Sequence, residues 1–159
     1  MKEHTYLLCL STITAVLCGI WSVISSPLGL IGWAGFAGCT TYFSCSASGL
    51  AGIKKAMLPN LAGVACGMGI ILMSSIVPAF DKTGIWCAIF TFLMCIISKY
   101  QLFSFCPGTF MGCFATFAAQ GNYKTLIPSL MMGAILGAAC DLGSKKLYER
   151  LCATTHNNK

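Results

Sequence analysis

Charge is what this chain has least of. Of 159 residues, 9% are charged, with 10 Lys and Arg against 4 Asp and Glu, where soluble domains carry roughly a quarter. No basic or acidic residue falls at the centre of an apolar run, which argues against a voltage sensor, a proton-relay pump and strong ion coupling through side chains. Histidine is scarce as well: His4 and His156 lie near the ends, neither beside a cysteine pair, and there is no Cys-x-x-Cys. Hydrolysis or group transfer needs a positioned base or metal. We therefore expect no enzyme, no catalytic residue, no metal and no cofactor. The formal charge of +6 could suggest nucleic acid, but the basic residues sit between apolar runs and form no stripe with interleaved aromatics, so no nucleic-acid partner is expected. Strand-type alternation is missing too, which argues against a transmembrane barrel.

What is present is apolar surface. Hydrophobic residues make up 57% of the chain, and their near-continuous runs predict an all-α, polytopic membrane protein with the lipid bilayer as its partner. One membrane domain spans residues 1–159. Six transmembrane helices are expected, at residues 5–25, 28–47, 54–77, 84–98, 102–119 and 125–142, followed by a frayed polar tail at 144–159. The first run exceeds a signal-peptide core and is followed by no Ala-x-Ala site, so it reads as an uncleaved helix. Pro78, Asp81 and Lys82 mark the exit of the third span. Of the 11 cysteines, Cys9, Cys18, Cys39, Cys66, Cys87, Cys95, Cys113 and Cys140 fall inside spans, where reduced, packed thiols are expected.

Basic residues orient these spans. Six crossings put Lys2, Lys54, Lys55, Lys99, Lys145, Lys146, Arg150 and Lys159 on one side and Lys82 and Lys124 on the other. The positive-inside rule then makes both termini cytoplasmic.

The chain also repeats itself. Phe36-Ala37-Gly38-Cys39-Thr40-Thr41-Tyr42-Phe43 matches Phe110-Met111-Gly112-Cys113-Phe114-Ala115-Thr116-Phe117 in Phe, Gly, Cys and the last Phe, at an offset of 74. Lys55-x-x-x-Pro59-Asn60-Leu61 is echoed by Lys124-x-x-x-Pro128-Ser129-Leu130, and Gly63-x-x-x-Gly67 by Gly133-x-x-x-Gly137. Repeat one covers about residues 5–80 and repeat two about 84–143. Three spans per repeat is an odd number, so the second copy enters the membrane from the opposite face. The halves are expected to be two inverted three-helix repeats.

Inverted repeats often place a solute site where equivalent elements meet near the midplane. The second and fifth spans are the candidates, because both are glycine-rich and interrupted, at Ser26-Pro27-Leu28-Gly29 and at Cys106-Pro107-Gly108-Thr109. Candidate lining residues are Phe36, Gly38, Cys39, Thr40, Thr41, Thr109, Phe110, Gly112, Cys113 and Thr116. Gly63, Gly67, Gly133 and Gly137 read as helix-packing seams, either within one chain or between protomers. The third and sixth spans are expected to pack through these seams. Asp141 reads as an interfacial residue paired with Lys145 at i+4, or as a coupling residue should it lie deep. The expected function is a channel or permease for a small neutral or weakly polar solute, within a homo-oligomer. The alternative is a structural or assembly subunit whose glycines serve packing alone.

At Trp33 to Phe43 and at Phe105 to Gly121, with the words Pro-Gly-Thr-Phe and Phe-Ala-Thr-Phe-Ala, the sequence resembles the bacterial inner-membrane YcdZ/YahC family. That resemblance implies a six-helix cytoplasmic-membrane protein and carries no substrate or catalytic residue with it.

Overall fold

The computed structural model describes residues 2–76 and 83–157. Met1, Lys159 and the expected exit at Pro78, Asp81 and Lys82 lie outside them. The described residues form six α-helices and no strand: α1 (Lys2–Ile24), α2 (Gly32–Ser44), α3 (Gly49–Ile76), α4 (Thr83–Ile97), α5 (Cys106–Ala118) and α6 (Tyr123–Asn157), with one 3₁₀ turn at Gln101–Phe103. Three stretches are long and apolar enough to cross a membrane, His4–Ile24, Gly49–Ile76 and Tyr123–Ala153. Of the others, α4 has the expected 15 residues, whereas α2 and α5 are shorter than expected. With 13 residues each, α2 and α5 are about 20 Å long at 1.5 Å per residue, against ~30 Å of hydrocarbon. The tail differs as well, because α6 runs on through it and Tyr148 meets the Tyr6 ring edge-on at 5.7 Å.

The chain segment before α2 shows how a short helix is entered. Lipid offers a polar backbone no partners. Here the Ile31 N–H donates to Ser129 Oγ (2.8 Å), Trp21 Nε1 donates to the Gly32 carbonyl (2.9 Å), and the Leu30 N–H donates to the Ser25 carbonyl (2.9 Å). Gly29, at φ +67°, makes the turn.

Packing follows an exchange of partners. α2 lies mainly on α6 and α5 on α3, while α1 covers α6 and α4 covers α3. Swapping α1 with α4, α2 with α5 and α3 with α6 returns the same set of pairs. Glycines set the distance in both major contacts: a Cβ at Gly38 would overlap the Leu130 carbonyl and one at Gly133 the Gly35 carbonyl, while Gly112 stands against the Asn60 carbonyl and Gly63 against that of Thr109. Gly67 faces the Thr116 side chain and Gly137 faces Tyr42. Both seams therefore lie within one chain and face α5 and α2, rather than joining α3 to α6.

These contacts also refine the register of the repeat. The offset of 74 holds through α2 and α5 and through the turns after them, where Ser46 (φ 53°) answers Gln120 (φ 52°). Along α3 and α6 the glycine contacts pair Gly63 with Gly133 and Asn60 with Leu130, an offset of 70. The lost four residues are about one helical turn, so the buried face is kept. The proline-centred echo is thus one residue out of register with the packing.

We expect Gly63→Ala and Gly133→Ala each to destabilise the protein by about 1–3 kcal/mol, because a methyl has to displace a backbone carbonyl. Gly19→Ala, with open space around it, should be near neutral. Thermal unfolding in detergent measures the difference; equal midpoints for all three would refute the seam.

Candidate functional site

Hydroxyls on these helices are mostly satisfied locally. Thr12, Ser22, Thr41, Ser44, Thr116 and Ser129 each donate to the carbonyl four residues back, which neutralises a polar group inside an apolar setting. Against that background two buried side chains stand out. Asn60, 1% exposed, has an Nδ2 with no partner, and Thr109, 0% exposed, has an unpartnered Oγ1. Asn60 Oδ1 lies 3.4 Å from Thr41 Oγ1 across the α2–α3 contact.

The neighbour of Thr41 in sequence begins a second polar group, at the end of α2. Tyr42 donates its hydroxyl to Asp141 Oδ2 (3.1 Å) and accepts the Gly49 N–H (2.8 Å). Asp141 also accepts from Ser48 Oγ and pairs with Lys145 Nζ at 3.0 Å, and Lys145 Nζ donates to Ser48 Oγ at 2.7 Å. One carboxylate thus ties the α2–α3 turn to α6. A cavity of about 230 Å³ opens here, lined by Tyr42, Phe43, Ser46, Ala47, Ser48 and Asp141. The ion pair is the one the i+4 spacing suggests. Tyr42 and Ser48, far away in sequence, are what sequence reasoning missed.

The expected site residues divide into two groups. Gly38, Cys39, Thr41, Thr109, Gly112, Cys113 and Thr116 are buried. Phe36, Thr40 and Phe110 face outward, away from the interior of the chain. Phe110 instead borders an apolar groove on the outer side of α5, with Cys106, Pro107, Met111 and Phe114. The buried glycines are filled by the neighbouring backbone, so they define contact rather than space. Cys39 turns toward Cys18 of α1 and Cys140 of α6, and Cys113 toward Cys66 of α3 and Cys87 of α4. Each triplet takes one cysteine from each of the exchanged helices, although at the offset of 70 Cys66 corresponds to Leu136 and Cys140 to Ile70. All 11 cysteines are free thiols, and among the described residues no three His, Cys, Asp or Glu side chains are placed to hold a metal ion.

Several of the polar features are not repeated across the exchange. Thr41 corresponds to Ala115 and Tyr42 to Thr116 at the offset of 74; Asn60 corresponds to Leu130 and Asp141 to Ile71 at the offset of 70. Where Asp141 gathers its donors, Ile71 lies with Met68 near Gly121.

A family model described as a protein of unknown function (DUF1097) matches residues 11–145. This chain belongs to that family. Inner membrane protein YcdZ of Escherichia coli (strain K12) is 42% identical over 154 residues, covering 96% of this chain and 94% of that protein. Its namesake in Salmonella typhimurium (strain LT2) is 42% identical over 134 residues, 84% of each chain. Uncharacterized protein YahC of E. coli (strain K12) is 25% identical over 150 residues, covering 86% and 90%. No solved structure matches. With long apolar helices and these relatives, the chain is an inner-membrane protein.

Tyr42→Phe should leave the Gly49 N–H without its acceptor and Asp141 without one of its three donors. We expect amide exchange at Gly49 to speed up about tenfold, the worth of roughly one hydrogen bond. Hydrogen exchange by mass spectrometry on the detergent-solubilised protein checks this, and unchanged protection would mean that the turn does not depend on the tyrosine.

Proposed function

We propose that the protein is a small channel or permease for a neutral or weakly polar solute. Its chain crosses the inner membrane six times as two inverted repeats, with both termini in the cytoplasm. The topology is supported by the basic residues, eight against two, and by the direction of the helices. α2 meets α6 in ascending order on both chains, from Gly35 at Gly133 to Tyr42 at Gly137, and α5 meets α3 likewise, from Thr109 at Gly63 to Thr116 at Gly67. Alternating crossings make both of those pairs parallel.

The observation that carries transport is the one-sided polar route. Thr41 and Asn60 lie in the interior, Tyr42 follows Thr41, and Asp141 and Ser48 line the cavity at the end of α2. The carboxylate there is offset by Lys145, so the mouth carries little net charge and favours a neutral passenger. The outward aromatic residues of α2 and α5, including Phe36, Phe43, Phe110, Phe114 and Phe117, give a homo-oligomer its contact surface.

The second reading, a structural subunit without transport, is favoured by the glycine seams, which bring helix backbones together without intervening space. Flux separates the two. Purified protein in liposomes should pass urea or glycerol at least about tenfold faster than matched protein-free vesicles, since selective pathways exceed the bare bilayer by large factors when polar groups replace hydration. Light scattering after an osmotic step reads the rate. Rates equal to those of empty vesicles would remove the transport reading in favour of the structural one. A terminal tag digested only from the cytoplasmic face would support the assigned orientation.

A further inference from the structure

Asn60 occupies a place that the other half of the chain fills with leucine. α3 meets α6 through Ala56, Ala134 and Ala138 in one apolar cluster, and through Val64, Leu126 and Leu130 in another. Asn60 lies halfway between Ala56 and Val64, at the crossing. Its carbonyl lies under Gly112 as the Leu130 carbonyl lies under Gly38, so the two residues are equivalent in backbone. Their side chains are not. Leu130 packs in a cluster with Ala115, whereas Asn60 turns to Thr41, the counterpart of Ala115.

The same backbone arrangement is therefore built once from Leu and Ala and once from Asn and Thr. Packing alone does not require the polar version. A buried polar atom without a partner costs free energy, more so where water is excluded, and one end of the Asn60 carboxamide is such an atom. Thr109, whose carbonyl meets Gly63 in the α3–α5 seam, carries a second unpartnered hydroxyl elsewhere in the interior. Its counterpart Gly35 has no side chain to satisfy. No ionised side chain accompanies either group, so a bound ion would lie uncompensated in a low-dielectric interior.

We propose that the Asn60 carboxamide, with Thr41 beside it, forms a mid-membrane binding site for a small neutral solute, which hydrogen-bonds to the end of the amide left unpartnered. This rests on the transport reading for its route but not for its chemistry. Separation of α2 from α3 at the Thr41–Asn60 contact admits the solute; in its absence the two side chains close on each other.

The test uses the full chain in liposomes with urea as the probe. In a background with the native cysteines replaced, Ala56→Cys, one turn along α3 from Asn60 and packed against Tyr42, should react with a small membrane-impermeant thiol reagent, and urea should slow that reaction. Asn60→Leu, the residue used by the other half, should fold with an unchanged or higher unfolding midpoint and lose about tenfold in urea flux, the scale of one missing hydrogen bond. If Ala56→Cys stays unreactive while Ser48→Cys reacts, the site is dry and the proposal falls. Reaction without protection by urea overturns it too, because the place would then hold water alone. A lower midpoint for Asn60→Leu with flux intact would make Asn60 a packing residue, again overturning the site. Protection by urea with no flux through the wild type would uphold the site and remove the transport reading instead.

Discussion

The close approach of helix backbones at glycine is the constraint on which this fold depends. Lipid tails are as apolar as leucine, so burying leucine between helices gains little there; contact area and short-range dispersion have to hold the bundle. Gly38 and Gly133 bring α2 onto α6, and Gly63 and Gly112 bring α3 onto α5, with a carbonyl occupying the space of each missing Cβ. Short helices make this necessary. At 13 residues, α2 and α5 have few turns with which to hold a neighbour, so every turn has to lie close.

Each short helix packs most closely on a long helix from the other repeat. Neither half has its principal contact within itself, and the halves interlock. Two halves that exchange partners in this way have to keep both faces of the contact in register. The change of offset from 74 to 70 between α2/α5 and α3/α6 obeys that requirement, since four residues, about one helical turn, leave the seam on the same side. A change of two residues would have rotated the glycines away from their carbonyls.

Much of this was legible from the residue pattern, and what was not has physical reasons. Glycine spacing, the Phe-x-Gly-Cys echo and the dearth of charge pointed to a membrane-embedded helical protein with related halves, and the family match agrees with the class. The pairing of α3 with α5 was not readable, because a Gly-x-x-x-Gly seam identifies a surface without identifying what covers it. Helix lengths were overestimated at α2 and α5, where apolar composition continues through Leu28 to Ile31 and Leu102 to Phe105 although the backbone turns. Phe36, Thr40 and Phe110 were grouped with the interior because they lie among glycines in sequence, yet a helix directs neighbours to different faces. Asn60 was missed for the opposite reason. Aligned on its proline, it seemed to match Ser129, and only the backbone contacts set it against Leu130.

That last displacement bears on what a duplicated membrane protein can do. Two identical halves would give equivalent polar character to both ends, whereas here the carboxylate, the tyrosine and the buried amide all lie in the set whose counterparts are Ile71, Thr116 and Leu130. The apolar set shows what the architecture needs in order to pack, and the polar set shows what has been added to it. Packing explains the glycines at both positions of the exchange but explains Asn60 at neither. An unsatisfied amide at the crossing of α3 and α6 is a standing cost to stability, and its leucine counterpart shows that the same helices can meet without it.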